Sequence, residues 1–258
     1  MRKNLLGLSV SGLALLLLLA SARKPNTDFE TKNATKAPLA ADSIYNSYIN
    51  TLYADLHLKE VGLSLPVFEK ALTGFYNLRY SGHTSEKGIL TIADFDQLST
   101  KKRLYIIDLN KKALLLNTWV AHGQNSGGDE ATNFSNINNS LSSSLGFYVT
   151  GEVYRGIHGK SLKLDGMDEG FNSNARSRAI VVHGAPYVSN GTIKALGRLG
   201  RSQGCPAVAP ELADKVINTI EDKTVLFINK SVENYQSKYL NETLAASFAN
   251  DYQTTHMD

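Results

Sequence analysis

Two short segments of this chain could do chemistry. One is Ala179-Ile180-Val181-Val182-His183-Gly184, an apolar run that ends in His-Gly. The other is Gly200-Arg201-Ser202-Gln203-Gly204-Cys205-Pro206, a glycine-bracketed turn leading through Pro210 into a helical pattern. A cysteine on a tight turn meets exposed backbone N–H groups, which favour a thiolate and later an oxyanion. An imidazolium partner favours the same anion, and a histidine at a strand end is held as rigidly as a general base must be. Cys205 and His183 need only meet in space. A satisfied structural histidine and an inert buried cysteine form the plain alternative.

Cys205 is the chain's one cysteine. It has no internal disulfide partner, so it is either a buried small hydrophobe or a free reactive thiol. His122 and His158 also precede glycines. Each is either a solvated or loop-structural side chain or part of the wall of a substrate groove. Three His-Gly pairs with Asp165 or Asp168 could in principle build a zinc hydrolase site. None of those spacings is a recognised ligand motif, and Cys205 would go unexplained, so no metal and no cofactor is expected. His57, His83 and His256 carry no signal.

The chain has 258 residues, 42% hydrophobic and 20% charged, enough for one large domain with a small accessory region. Its first 22 residues stand apart. Arg2 and Lys3 precede an apolar run from Leu5 to Ala20, and Ala20-Ser21-Ala22 supplies small residues at a cleavage site. That order is a secretory signal peptide, and the rival is an uncleaved anchor. Gly7, Ser9, Ser11 and Gly12 weaken the run as a stable span, so no stable membrane insertion is expected after cleavage. The signal holds two of the 27 basic and none of the 24 acidic residues, leaving 25 against 24. A mature charge of +1 argues against a nucleic-acid partner.

Residues 23–41 are polar, contain two prolines and read as a linker. Residues 42–84 carry two amphipathic stripes. Tyr45, Tyr48, Ile49, Leu52, Tyr53 and Leu56 recur at helical spacing, as do Phe68, Ala71, Leu72, Phe75 and Tyr76 after first-turn Pro66. From about residue 85 to 230 the pattern is strand-rich: Ile89–Phe95, a hairpin of 103–108 and 113–120 around Asn110-Lys111-Lys112, then 147–154, 161–164, 178–183 and 224–228. One clear helix, starting at Pro210, interrupts them. Strands without regular helical crossovers argue against a doubly wound parallel sheet. The fold class is therefore α+β, a mainly β catalytic domain after a small helical region, with a tail at 231–258 and a short helix near Leu240–Phe248. The stretch Gln124–Gly146 is a long Ser-, Asn- and Gly-rich loop, either functional or disordered.

His183-Gly184 followed by Ser202-Gln203-Gly204-Cys205 resembles the active-site signature of the L,D-transpeptidase catalytic domain (YkuD-type) family. Ala121-His122-Gly123, Phe134-Ser135-Asn136, Ser143-Ser144-Leu145-Gly146, His158-Gly159-Lys160-Ser161-Leu162 and Gly204-Cys205-Pro206-Ala207 resemble its murein L,D-transpeptidase branch, and the likeness spans roughly residues 90–228. The resemblance implies that Cys205 attacks the carbonyl before the terminal D-Ala of a peptidoglycan stem peptide. His183 would take the thiol proton, the Gly184 carbonyl would orient its ring, and N–H groups around Gly204 and Cys205 would form the oxyanion hole. A second stem would resolve the thioester, and carbapenems would acylate the thiol. It also implies an exported protein of the periplasm or cell envelope. Gln203 stands where the family often has His, and Ala207 where it has Arg. Arg201 is the first substitute for that Arg, with Arg176 and Arg178 behind it, and Ser202, His122 and His158 complete the expected substrate contacts. The rivals are an L,D-carboxypeptidase, a related hydrolase or protein-amine transferase using the same thioester, and a catalytically dead wall-binding protein.

Overall fold

The computed structural model describes residues 36–255, so the expected signal peptide and the linker up to residue 35 lie outside it. Helix α1 spans Lys36–Asp55 and α2 spans Leu65–Tyr80. The first helix begins six residues earlier than Asp42, inside the expected linker. Ala and Leu dominate residues 37–41 and favour helix, and Pro38 falls in the first turn, where its missing N–H leaves no bond unmade.

Eight strands form one sheet: β1 Ile89–Asp94, β2 Leu104–Asp108, β3 Ala113–Thr118, β4 Gly146–Gly156, β5 Gly159–Gly166, β6 Val181–Gly184, β7 Ala207–Val208 and β8 Val225–Asn229. Their order is β3-β2-β1-β8-β4-β5-β6-β7. Pairs β1–β8 and β6–β7 are parallel and the others antiparallel. Beyond β3 the chain returns to the far edge, where Ala121 bridges Ala207. The two ends of the sheet thus meet and the whole is barrel-like.

Period-two alternation sends the strand side chains into two cores. Leu90, Ile92, Tyr105, Ile107, Phe147, Val225 and Phe227 face α1, α2 and α5 (Glu242–Thr255). Ile89, Ala93, Leu104, Ile106, Tyr148, Leu226 and Ile228 face the opposite side, which α4 (Pro210–Ile220) covers with Val216 and Ile217. Helix α2 is buried almost all round rather than along one stripe. At Gly74 a Cβ would lie 2.0 Å from the Phe147 ring, so glycine lets that ring, stacked on Phe227, lie against the helix.

Two elements carried no pattern in the sequence. Helix α3, Asn190–Leu196, buries no residue, and β7 has two residues. The strand expected from Arg178 starts only at Val181, because Ala179 has φ +53° and turns the chain.

Candidate active site

The turn before Cys205 is built from side-chain hydroxyls. Ser202 Oγ donates to the Cys205 carbonyl at 2.6 Å and accepts the Gly204 N–H at 3.0 Å. Ser143 Oγ donates to the Gly204 carbonyl at 3.1 Å. The backbone of Ser202 donates to the His122 carbonyl and accepts from Gln124. Ser202 is 5% exposed, so it braces the turn from within. With the Gly204 N–H bound to Ser202, the N–H groups of Gln203 and Cys205, which make no hydrogen bond among the described residues, are the turn's free donors.

The thiol sits in a backbone clamp. Its proton points to the Ala179 carbonyl, 3.7 Å away, and its sulfur accepts the Val181 N–H at 3.5 Å. Ala179 holds a left-handed φ that side-chain-bearing residues adopt at a cost, and such strain gathers at functional sites. Burial pushes the Cys205 thiol above its ordinary range, while the Val181 N–H and the nearby Arg178 charge pull it the other way.

Strand pairing brings the histidine to this turn: His183 of β6 lies opposite Ala207 of β7, two residues past the cysteine. His183 is 2% exposed, and its Nδ1 lies 2.9 Å from the Gly184 carbonyl. A carbonyl only accepts, so Nδ1 carries the proton and Nε2 is left as the basic nitrogen. Burial depresses the His183 pKa, the Gly184 bond opposes this, and neighbouring His158 adds to the depression. Burial thus works against the charged form of both partners. Among the described residues no hydrogen bond joins the two.

A cavity of about 710 Å³ opens at the sulfur, with Gln124, Leu141, His158, Arg178, Arg201 and Cys205 on its wall and no acidic residue. Arg201 donates to the carbonyls of Gly127 at 2.8 Å and Gln124 at 3.3 Å through one amino group. Arg178 is held more tightly, donating to the carbonyls of Ser135 and Ser142, both at 2.6 Å, and to Ser140 Oγ. Burial lowers its pKa. Arg176 is instead engaged with Asp165 and Glu152 on another face.

His122 does not line this cavity. It is 1% exposed, its Nδ1 accepts from Arg103 at 2.8 Å, and burial, then the Arg103 charge, lowers its pKa to about 4. Arg103 is itself fully buried, bonded to the carbonyls of Val120 and Gln97, with its guanidinium 4.6 Å from the Phe95 ring centre. Sequence reasoning missed Arg103 altogether. Asp168 accepts from the Phe147 N–H, Tyr235 and Ser237, and Asp165 pairs with Arg176. Among the described residues no group of three or more His, Cys, Asp or Glu is placed to hold a metal.

The polar loop 124–146 is ordered by these same bonds. Ser126 Oγ accepts the Ser143 N–H, and Asn136 binds Ser173 and Asn174. Its inner end, Ser142–Gly146, is buried, with Ser142 and Ser143 against Gly204 and the Ser142 carbonyl accepting from Arg178.

The profile of the L,D-transpeptidase catalytic domain matches residues 59–229, about two thirds of the chain. This protein belongs to that family. No curated protein matches it significantly. Similar solved structures include an L,D-transpeptidase from Mycobacterium smegmatis, 12% identical with TM-score 0.35, covering 56% of this chain and 59% of that one. The helical cell shape determining protein Pgp2 from Campylobacter jejuni is 16% identical with TM-score 0.38, covering 72% and 65%. L,D-transpeptidase 3 from Mycobacterium tuberculosis, in complex with a faropenem-derived adduct, is 12% identical with TM-score 0.35, covering 56% and 61%. The chain spans about three fifths of the two mycobacterial proteins' length.

Proposed function

We propose that this protein is an L,D-transpeptidase of the cell envelope, exported by cleavage after Ala22, that acts on peptidoglycan stem peptides through a thioester on Cys205. One observation carries the reading: the chain's single thiol opens on a cavity with two arginines and no carboxylate, two residues from the strand partner of a tautomer-fixed imidazole.

In this reading the substrate draws the thiol out of its clamp, and Cys205 Sγ attacks the carbonyl carbon before the terminal D-amino acid. The thiol proton passes to His183 Nε2. The C–N bond breaks, His183 returns that proton to the leaving amine, and the stem remains as a thioester. An amine of a second stem then attacks the thioester, loses a proton to His183 and displaces the cysteine, which takes the proton back. Free N–H groups of Gln203 and Cys205 serve the oxyanion, and Arg201 or Arg178 serves the stem carboxylate. Water in place of the amine would make the same site an L,D-carboxypeptidase.

The test is intact-protein mass spectrometry after incubation with a carbapenem. Wild type should gain one drug mass, and Cys205→Ser should gain none, since a hydroxyl there is a far weaker nucleophile. His183→Ala should acylate roughly 100-fold more slowly with its circular dichroism unchanged. An adduct that persists in Cys205→Ser would sink the mechanism. Incubation with disaccharide tetrapeptides then separates crosslinked dimers from tripeptide hydrolysis products.

A further inference from the structure

The β4–β5 hairpin carries a second imidazole to the site. Gly156 pairs with Gly159, so Ile157 and His158 form its two-residue tip, and Gly159 supplies the positive φ, +76°, that so tight a return requires. Ser161 of β5 lies opposite His183 of β6, which places the tip just past that pairing. The rings of His158 and His183 stack with centroids 4.2 Å apart and planes inclined by 23°. Exposure divides the two. His158 is exposed and stands on the cavity wall, whereas His183 is buried and is not on it.

We propose that His158 is a positioning residue for the base: its ring covers His183 on the cavity side and, with the Gly184 carbonyl, fixes the plane of the imidazole. The proposal rests on the reading of His183 as the base. A positive charge on the stacked His158 ring would oppose one on His183, the direction in which His158 shifts the buried imidazole.

The other groups around His183 leave His158 as its dominant charged neighbour. The turn brings Cys205, and the segment before β6 brings Arg178, which bears on the thiol. Helix α4 packs Pro210 and Ala213 against Gly184, and its Glu211, Asp214 and Lys215 are exposed. On β5, Lys160 is bonded to Asn218 of α4 and Lys163 pairs with Glu152.

The experiment follows the His183 ring by NMR in the full chain while measuring carbapenem acylation of Cys205 against pH. His158→Phe keeps a flat ring and removes the charge. There His183 should take up its proton at higher pH, the acid limb of acylation should move up with it, and the rate at pH 8 should fall less than in the alanine variant. His158→Ala removes the stack as well, and the rate should fall about tenfold or more at every pH. An unchanged His183 midpoint in both variants, or equal rate losses in the two, would overturn the proposal. If wild type is never acylated yet the His183 midpoint moves in the variants, the thioester reading fails and the stack stands.

Discussion

Gly204 stands so close to Ser142 that a Cβ on the glycine would lie 2.7 Å from the Ser142 carbonyl oxygen. Its φ of +122° is also one that L side chains rarely adopt. The same Ser142 carbonyl accepts from Arg178 and so cannot yield freely. Gly204→Ala should therefore cost roughly 2–3 kcal/mol of stability, from strain and a backbone clash together. Urea unfolding measures that cost. At temperatures where the variant is still folded, carbapenem acylation should also slow, because the turn that presents Cys205 must shift.

The two cavity arginines should separate in kinetics. Arg201 lies on the cavity wall with only one amino group bound to loop carbonyls, so the rest of its fork is open to a ligand. Arg201→Lys should lower kcat/KM for stem peptides about tenfold, roughly 1.4 kcal/mol, and leave iodoacetamide alkylation of Cys205 untouched. Arg178→Gln removes the charge that favours the thiolate, so the thiol pKa rises and alkylation at a fixed neutral pH slows. If Arg178→Gln alkylates like wild type, the field assigned to Arg178 is wrong. A stem-peptide defect confined to Arg178 would move substrate recognition there.

Acid should loosen the fold through His122. Arg103 can only donate, so His122 Nδ1 must be bare, and a proton there breaks the bond. The unfolded ring binds a proton below about pH 6.5, whereas the buried ring waits until about pH 4. Unfolding takes up that proton in this window, so the contribution is whole above about pH 6.5 and is lost as pH falls toward 4, on the order of 3 kcal/mol in all. Urea midpoints at pH 7, 5.5 and 4.5 should fall in sequence. His122→Gln, which can still accept from Arg103, should flatten that decline. An equally steep decline in the variant would place the titrating group elsewhere.

How much of this could be read in the residues depends on the distance over which each signal acts. The strands announced themselves because alternation is local, and the hairpin around Asn110-Lys111-Lys112 lies where turn residues interrupt two β-rich runs. Cys205 and His183 stood out because a glycine-bracketed turn and an apolar run ending in His-Gly are both short patterns. His122 shows the limit. Its His-Gly pair looks the same as that of His158, yet Arg103, 19 positions away, buries the one while the other lies in the open. The loop 124–146 was equally opaque, since Ser126 meets Ser143 and Asn136 meets Asn174 only in the folded chain. Helix α3 buries nothing, so it left no periodicity to find.

The helical side of the sheet has a consequence for synthesis. Helices α1 and α2 pack against α5, and Tyr76 of α2 meets Phe248 of α5 edge to face. Strand β1 likewise pairs in parallel with β8, near the other end of the described chain. A polypeptide leaving the ribosome N-terminus first must hold its aromatic helices and its first strand without their partners until almost everything else has emerged. Loop closure over that span is slow, and apolar surface stays open meanwhile. A chain cut short before residue 225 would lack both the centre of its sheet and one wall of its helical core.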